Sequence, residues 1–254
     1  MRAPSLFAGV VGFLVWFLLV PPAGAEIRCD EGLEGLSHSP LAYGPREGRC
    51  EGLYNLQVNS NQLVLVALTA PFAPFDPAER PNLELSFTAP DAVRSPVRLR
   101  AYCLRRKTYY RMDTSLDAGA GRFTWDTSIL ERLELQSNDL GLLAWTGEPG
   151  TEIYLPLRLG AGGAGGSYEV GLLPGKQLAE VKFTLVRLDD KGAAATYVSQ
   201  EQDVGYGYYP SGEPTFITLP ELPEPGLYDL EIHASVRGGG DTLSRTVRFY
   251  HPGR

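Results

Sequence analysis

Histidine is the side chain most often used for acid–base catalysis and zinc binding near neutral pH, and this chain contains three histidines. None of them, His38, His233 or His251, has a Cys, Asp or Glu partner at the spacing of a zinc site. No Gly-x-Ser-x-Gly motif is present to supply the nucleophile of a serine triad. The sequence therefore predicts no zinc site, no cofactor and no enzymatic activity.

Carboxylate pairs are the remaining route to catalysis, because a glycosidase needs only two acids about 5 to 9.5 Å apart in a cleft. Asp113, Asp126 and Asp139 are the candidates. Acids beside strand ends commonly form turns or caps, and nothing in the sequence brings two of these three together. As a functional hypothesis, an exported carboxylate-dependent hydrolase therefore ranks below a binding or assembly protein and below a carbohydrate-binding module.

Three closely spaced tyrosines are the candidates for ligand binding. Tyr206, Tyr208 and Tyr209 lie in residues 205–210, where small neighbours would leave aromatic rings uncovered in a loop. Exposed tyrosine rings stack on sugar faces or contact peptide partners at little entropic cost. The alternative is that the rings fold over the edge of a sheet and only pack there.

The cysteines after the N-terminal segment allow one disulfide bridge and leave one sulfur over. Cys29 and Cys50 flank a segment rich in Gly, Ser and Pro, where a bridge would close an otherwise loose loop, so we predict this pairing. Cys103 lies on the apolar face of the alternating run 97–103, which suits a buried thiol. The competing pairing, Cys50 with Cys103, would resemble the inter-sheet bridge of immunoglobulin domains. Against it, Ala101 occupies the position where those domains have a tyrosine.

Strand patterns dominate the chain after this loop. Short runs of apolar and β-branched residues are separated by Pro, Gly, Asn or Asp, which is typical of all-β proteins. One short helix is predicted to begin near Thr127, capped by Asp126 or by Thr127 itself. The predicted strands are residues 53–58, 62–69, 82–88, 97–104, 108–114, 140–145, 152–159, 168–173, 179–188, 194–200, 215–219, 226–236 and 242–250.

Residues 160–166 consist of glycine and alanine alone. Such small side chains cannot bury a core, and the segment is predicted to be a flexible linker. Predicted strands lie on both sides of it, which favours two β-sandwich domains of immunoglobulin-like or jelly-roll-like type. The predicted organisation is a signal peptide (1–25), an N-terminal β-sandwich with a short helix (26–159), the linker (160–166) and a C-terminal immunoglobulin-like β-sandwich (167–254).

Glycine-bearing turns are predicted at residues 189–192 and 237–241, each between two alternating runs. Residues 223–232 resemble a segment of immunoglobulin-like and fibronectin-like domains, in which a turn leads into a strand and a tyrosine packs at the corner. The tyrosine of this segment is Tyr228. The resemblance concerns architecture and carries no function with it.

The N-terminus predicts export by a cleavable signal peptide. Arg2 precedes an uncharged apolar stretch, Leu6 to Val20, which is followed by two prolines and the small-x-small sequence at residues 23–25. Cleavage is therefore expected before Glu26. The apolar stretch would rise only about 22 Å as a helix, short of the roughly 30 Å of a bilayer core. We expect a secreted or periplasmic protein with no stable membrane insertion after cleavage.

The charge of the chain argues against some partners. Removing residues 1–25 takes away one basic residue and no acidic one, which changes the formal net charge from −7 to −8. An acidic surface gains nothing from releasing counterions of a phosphate backbone, so nucleic acid is not an expected partner. The short basic run at residues 105–107 is predicted to be a solvated turn.

These features together predict an exported, non-catalytic binding or assembly protein of the cell envelope. Its β-sandwich modules would contact another envelope or exported protein. The second hypothesis is a carbohydrate-binding module that recognises envelope or extracellular polysaccharide through Tyr206, Tyr208 and Tyr209.

Overall fold

The computed structural model describes most of the chain from residue 57 onward and two short strands before it. The described residues are 36–37, 52–55, 57–71, 79, 82–91, 96–103, 108–116, 121–126, 140–160, 167–189, 192–202 and 214–253. All regular secondary structure in these ranges is β-strand, which confirms the predicted all-β class. The helix predicted from Thr127 lies outside them.

Short strands separated by turns occupy the chain before residue 160, as the spacing of its Pro and Gly residues predicts. Every predicted strand in this part overlaps an observed one, and the structure adds β1 and β8. These strands are β1 (Leu36–Ser37), β2 (Gly52–Asn55), β3 (Gln57–Val58), β4 (Leu63–Thr69), β5 (Asn82–Ser86), β6 (Val97–Cys103), β7 (Thr108–Leu116), β8 (Arg122–Asp126), β9 (Leu140–Thr146), β10 (Ile153–Tyr154) and β11 (Arg158–Leu159).

Longer strands with a clear alternation of apolar and polar residues follow residue 167. In β16 the buried positions recur at every second residue, which leaves one face of the strand to the core and the other to solvent. These strands are β12 (Glu169–Pro174), β13 (Leu178–Leu188), β14 (Ala194–Gln202), β15 (Thr215–Thr218), β16 (Gly226–Val236) and β17 (Thr242–His251).

The largest sheet contains nine strands in the order β14-β13-β16-β17-β10-β9-β6-β7-β2. Its neighbours pair antiparallel except for β10 and β17, which run parallel where Tyr154 lies opposite Phe249. Two three-stranded sheets have the orders β15-β12-β4 and β11-β5-β8, and β1 pairs with β3 separately. Several sheets with apolar faces are consistent with a β-sandwich.

The first hydrophobic core fills the space between the nine-stranded sheet and the β15-β12-β4 sheet. It takes side chains from both sides of residues 160–166, so strands distant in sequence bury one common apolar surface. Its fully buried members include Leu68, Tyr168, Val170, Leu172, Val181, Phe183, Leu230, Ile232 and Phe249.

The second core lies on the opposite face of β6 and β9, against β5. Leu99 and Cys103 of β6, Leu142 of β9 and Leu85 of β5 are among its buried members. The predicted burial of Cys103 is thus confirmed. Because β9 faces one core on each side, every one of its residues is buried, which explains why its sequence is apolar without alternation.

Strands from the two sides of residues 160–166 share sheets. β4 pairs with β12 from Leu63↔Pro174 to Thr69↔Glu169, and β10 pairs with β17. The prediction of two separate domains is therefore not confirmed. Residues 161–166 lie outside the described ranges, and the immunoglobulin-like or jelly-roll-like type stays a prediction.

Gly141 provides a test of how closely β9 approaches β4. A Cβ atom at this position would lie 2.6 Å from the Val66 carbonyl oxygen, well inside van der Waals contact. Gly141→Ala is expected to lower the free energy of unfolding by about 1 to 3 kcal/mol, because the two layers must separate to admit the methyl group. Urea denaturation of the variant and the wild type measures the difference.

Gly240→Ala is the matched control. Gly240 lies in the turn between β16 and β17, and a Cβ atom there would meet nothing within 4 Å. The control variant is expected to unfold within about 0.5 kcal/mol of the wild type. Equal stabilities of the two variants would contradict the close packing of β4 on β9.

Candidate functional site

Strand β14 forms one edge of the nine-stranded sheet. It pairs antiparallel with β13, and within the described part of the chain no other strand pairs with it. With respect to the described residues, one side of its backbone therefore presents N–H and C=O groups without a strand partner along nine residues. Glu201 is the one charged residue in the strand, which contains neither proline nor glycine. The charges and prolines that commonly block an edge strand are thus nearly absent.

A tight turn holds β14 against β13. The Asp189 N–H donates to the Ala193 carbonyl oxygen over 2.7 Å, and the Ala193 N–H donates to Asp189 Oδ1 over 2.8 Å. The Gly192 N–H donates to the Asp189 carbonyl oxygen over 2.9 Å, with φ of +78° at the glycine, a backbone conformation that favours this residue. These bonds join the two ends of the turn predicted at residues 189–192, of which residues 190 and 191 lie outside the described ranges, and they fix where the edge begins.

The packing of β13 fixes the register of the edge. Val181, Phe183 and Leu185 point into the first core, and each lies opposite a residue of β14. β13 cannot slip against β16 by one residue without turning this apolar set toward solvent, and the hydrogen bonds between Asp189 and Ala193 hold β14 against β13. The edge therefore presents a defined sequence of backbone donors and acceptors.

A second edge carries an exposed aromatic ring. Phe216 of β15 is 44% exposed, although its neighbours Thr215 and Ile217 are buried. β15 lies at the end of the β15-β12-β4 sheet and has only four residues. A single exposed phenylalanine on so short a strand adds apolar surface near an edge but does not form a patch.

Tyr228 packs at the corner predicted from residues 223–232. Its hydroxyl donates to the Glu224 carbonyl oxygen over 2.8 Å, and its ring stacks on Phe249 with centroids 5.7 Å apart. Arg187 closes the corner from β13, with Nη1 3.1 Å from Glu224 Oε2 and Nη2 donating to the Pro225 carbonyl oxygen over 3.3 Å. The backbone turn before β16 is thus tied to the strand by a buried phenol and an arginine.

His251 is fully buried at the end of β17, whereas the sequence placed it simply after the last strand. A hydrogen bond of 2.5 Å joins the Tyr168 hydroxyl and His251 Nδ1, and the rings of Tyr168 and Tyr228 both contact the imidazole edge-on. His251 is therefore a core residue with one hydrogen-bonded ring nitrogen, Nδ1. It does not face a nucleophile among the described residues.

Burial sets the ionisation of this histidine. Loss of hydration lowers the pKa of His251, the Leu222 backbone opposes the shift, and the positive charge of Arg158 adds to it. Burial also raises the pKa of the Tyr168 hydroxyl. Both partners of the hydrogen bond are therefore neutral near pH 7, and protonation of the imidazole would place an uncompensated charge in the core.

The predicted ligand and disulfide residues lie outside the described ranges. This applies to Tyr206, Tyr208 and Tyr209 and to Cys29 and Cys50, so these assignments stay predictions. Of the acids considered for catalysis, Asp113 is in β7 of the nine-stranded sheet and Asp126 is in β8 of a three-stranded sheet. Asp139 is not described.

His233 is exposed on the outer face of β16, as its alternation with Ile232 predicts. Where the structure describes the chain, no group of three His, Cys, Asp or Glu residues is placed to hold a metal ion. In the same ranges, no helix has the length and apolarity needed to cross a membrane.

No protein-family model matches the chain, and a search of curated proteins finds no match.

The Tyr228 corner yields a stability prediction. Tyr228→Phe keeps the stacked ring and removes the hydrogen bond to Glu224, so the free energy of unfolding should fall by about 1 kcal/mol. Tyr250→Phe is the control, because Tyr250 on the neighbouring strand is only partly buried. Urea denaturation of both variants measures the difference, and equal losses would contradict a specific role for the corner bond.

The buried histidine yields a pH prediction. Because the pKa of His251 is lower in the folded chain than in the unfolded chain, the unfolded state binds more protons below about pH 6.5. The free energy of unfolding should therefore decrease as the pH falls through this region. His251→Asn, whose amide can donate or accept a hydrogen bond with Tyr168, should reduce the slope of this decrease, whereas the exposed control His233→Asn should keep it. Urea denaturation between about pH 7.5 and about pH 5.5 measures both slopes. Parallel slopes in the wild type and His251→Asn would assign the pH dependence to other groups.

Proposed function

We propose that this chain is an exported, non-catalytic binding or assembly protein of the cell envelope, and that it contacts another exported protein through the edge of β14. The partner would add an extended segment as a further strand of the nine-stranded sheet. Main-chain hydrogen bonds along the edge would supply affinity, and the side chains of alternate residues would supply specificity.

The observation that carries this proposal is the open edge of β14. The strand has nine residues, pairs on one side in the described structure and contains a single charged residue. Natural sheets commonly protect such edges with lysine, proline or a bulge, because an unprotected edge pairs with other chains. The one register shift in this pairing lies at the start of β14, between the pairs Leu188↔Ala194 and Arg187↔Thr196, and from Thr196 to Gln202 the pairing is regular. So long a regular edge with so little protection supports a role in pairing.

We further propose that the strands around Tyr228 form an immunoglobulin-like sandwich. In that class a tyrosine near a strand start donates its hydroxyl to the backbone a few residues upstream. Tyr228 makes this bond to Glu224, four residues earlier. The resemblance supports the architecture, and the binding role is argued separately from the edge.

Proline substitutions can distinguish the side of β14 that pairs with β13 from the side that is open to a partner. In an antiparallel pair, successive N–H groups point alternately toward the neighbour and away from it, so Val198 and Ser199 present one N–H to β13 and one to the open edge. Proline at the inward position should lower the Tm. Proline at the outward position should leave the Tm near that of the wild type and abolish capture of the partner. Thermal unfolding and a quantitative cross-linking pull-down from native envelope extract measure the two effects.

Thr246→Ala is the matched control for capture. Thr246 is exposed on β17 in the middle of the same sheet, far from either edge strand in the sheet order, and its substitution should leave capture unchanged. A protein partner captured equally by the wild type and by the stable proline variant would contradict strand addition. Recovery of polysaccharide without a protein would contradict protein binding and favour the carbohydrate hypothesis.

A further inference from the structure

Three arginines lie among aromatic side chains at the centre of the nine-stranded sheet. Arg98 lies opposite Trp145 in the pairing of β6 with β9, and Trp145 lies opposite Tyr154 in the pairing of β9 with β10. Arg100 is two residues from Arg98 on the same face of β6, and Arg245 reaches the group from β17. We call these five residues the arginine cluster.

Aromatic contacts connect the members of the cluster. Arg100 is 3% exposed, and its Cζ lies 4.7 Å from the centroid of the Trp145 ring, a cation–π contact. The Trp145 and Tyr154 rings are 6.4 Å apart, and Arg245 Nη2 donates to the Tyr154 hydroxyl over 3.4 Å. The cluster therefore places cationic groups within a continuous aromatic environment.

Several buried donors of the cluster have no acceptor. Arg98 Nη1, Trp145 Nε1 and Arg245 Nε are each shielded from solvent and make no hydrogen bond. Buried donors in folded proteins are almost always paired, and an unpaired one is costly when it belongs to a charged group. These three donors belong to β6, β9 and β17, and Trp145 and Tyr154 lie between the two arginines in the sheet order.

The described part of the chain supplies no carboxylate to Arg98 or Arg245. Burial raises the pKa of the Tyr154 hydroxyl, and the nearby carboxylate of Glu152 adds to this rise. Glu152 is used locally, because its Oε2 accepts the Gly150 N–H over 2.9 Å in the turn before β10. The cluster thus combines excess donors and positive charge with a shortage of acceptors.

We propose that the arginine cluster is a binding site for a small carboxylate anion, held by Arg98, Arg245 and the Trp145 indole N–H. A carboxylate offers two coplanar oxygens, which match the planar fork of a guanidinium. The ligand must be small, because the donors are buried and only Arg98 and Arg245 extend to partly exposed positions.

The location of the site gives ligand binding a structural consequence. β10 contributes two residues and is the sole strand that joins β9 to β17 in the sheet order. Arg98 belongs to the group of strands on one side of this junction and Arg245 to the group on the other. An anion bound by both arginines would link the two groups, and binding to the folded state alone would raise its stability.

Acetate is the probe for the first experiment, with chloride at equal ionic strength as the comparison. Acetate is expected to raise the Tm of the purified chain in a saturable manner, and chloride is expected to give a smaller, non-saturating change. Arg245→Gln should abolish the acetate-specific rise. Arg248→Gln is the matched control, because Arg248 is an exposed arginine of the same strand that pairs with Asp229 on the outer face of the sheet.

Identical Tm curves in acetate and chloride, or an undiminished acetate response in Arg245→Gln, would overturn the proposal. A second measurement on the wild-type chain does not depend on the folding of a variant. In ¹⁵N NMR spectra, the Trp145 indole N–H resonance, assigned by through-bond correlation to the Trp145 backbone, should shift saturably with acetate and not with chloride. An indole resonance that acetate leaves unmoved also refutes the site.

Discussion

Strand β9 is covered on both faces, and this double burial requires two further layers to pack against it. Leu143 and Trp145 face the first core, whereas Leu142 and Ala144 face the second. Gly141 lets the backbone of β4 approach on one side. β12 then pairs with β4, so the chain after residue 160 has to return to the strands before it. The position of β9 thus explains why sheets and core include strands from both sides of the glycine-rich segment.

Local pattern predicted the elements of the fold well, because strand formation depends on alternation and turn chemistry. The buried positions of β13 and the turn at residues 189–192 follow directly from these two features. The order of the strands within the sheets did not follow from the local pattern. Glycine and alanine at residues 160–166 report local backbone freedom, and that composition contains no information about which strands pair. The pairing of β4 with β12 depends on side-chain packing across the core, which no window of sequence displays.

The candidate sites illustrate the same limit. His251 follows an alternating strand, and only the tertiary structure shows that Tyr168 and Tyr228 enclose it. Arg98 and Arg100 alternate with apolar residues in β6, a pattern typical of one buried face and one wet face. The structure buries Arg100 as well, because Trp145 covers its guanidinium plane. Sequence could have indicated this only through the aromatic residues of neighbouring strands, whose register was unknown.

Anion binding at the arginine cluster would differ from a general electrostatic attraction of the chain for anions. The chain carries a net charge of −7, so its long-range field repels anions and cannot steer them toward the surface. Screening confines the influence of a surface charge to about 8 to 10 Å at ordinary ionic strength, whereas buried charges are screened much less. Arg100 and Trp145 are almost completely buried, and interactions there are strengthened by the low local dielectric. Anion binding at the cluster would therefore depend on its own hydrogen-bond donors. The open edge of β14 is equally independent of net charge, because main-chain pairing requires only unpaired N–H and C=O groups.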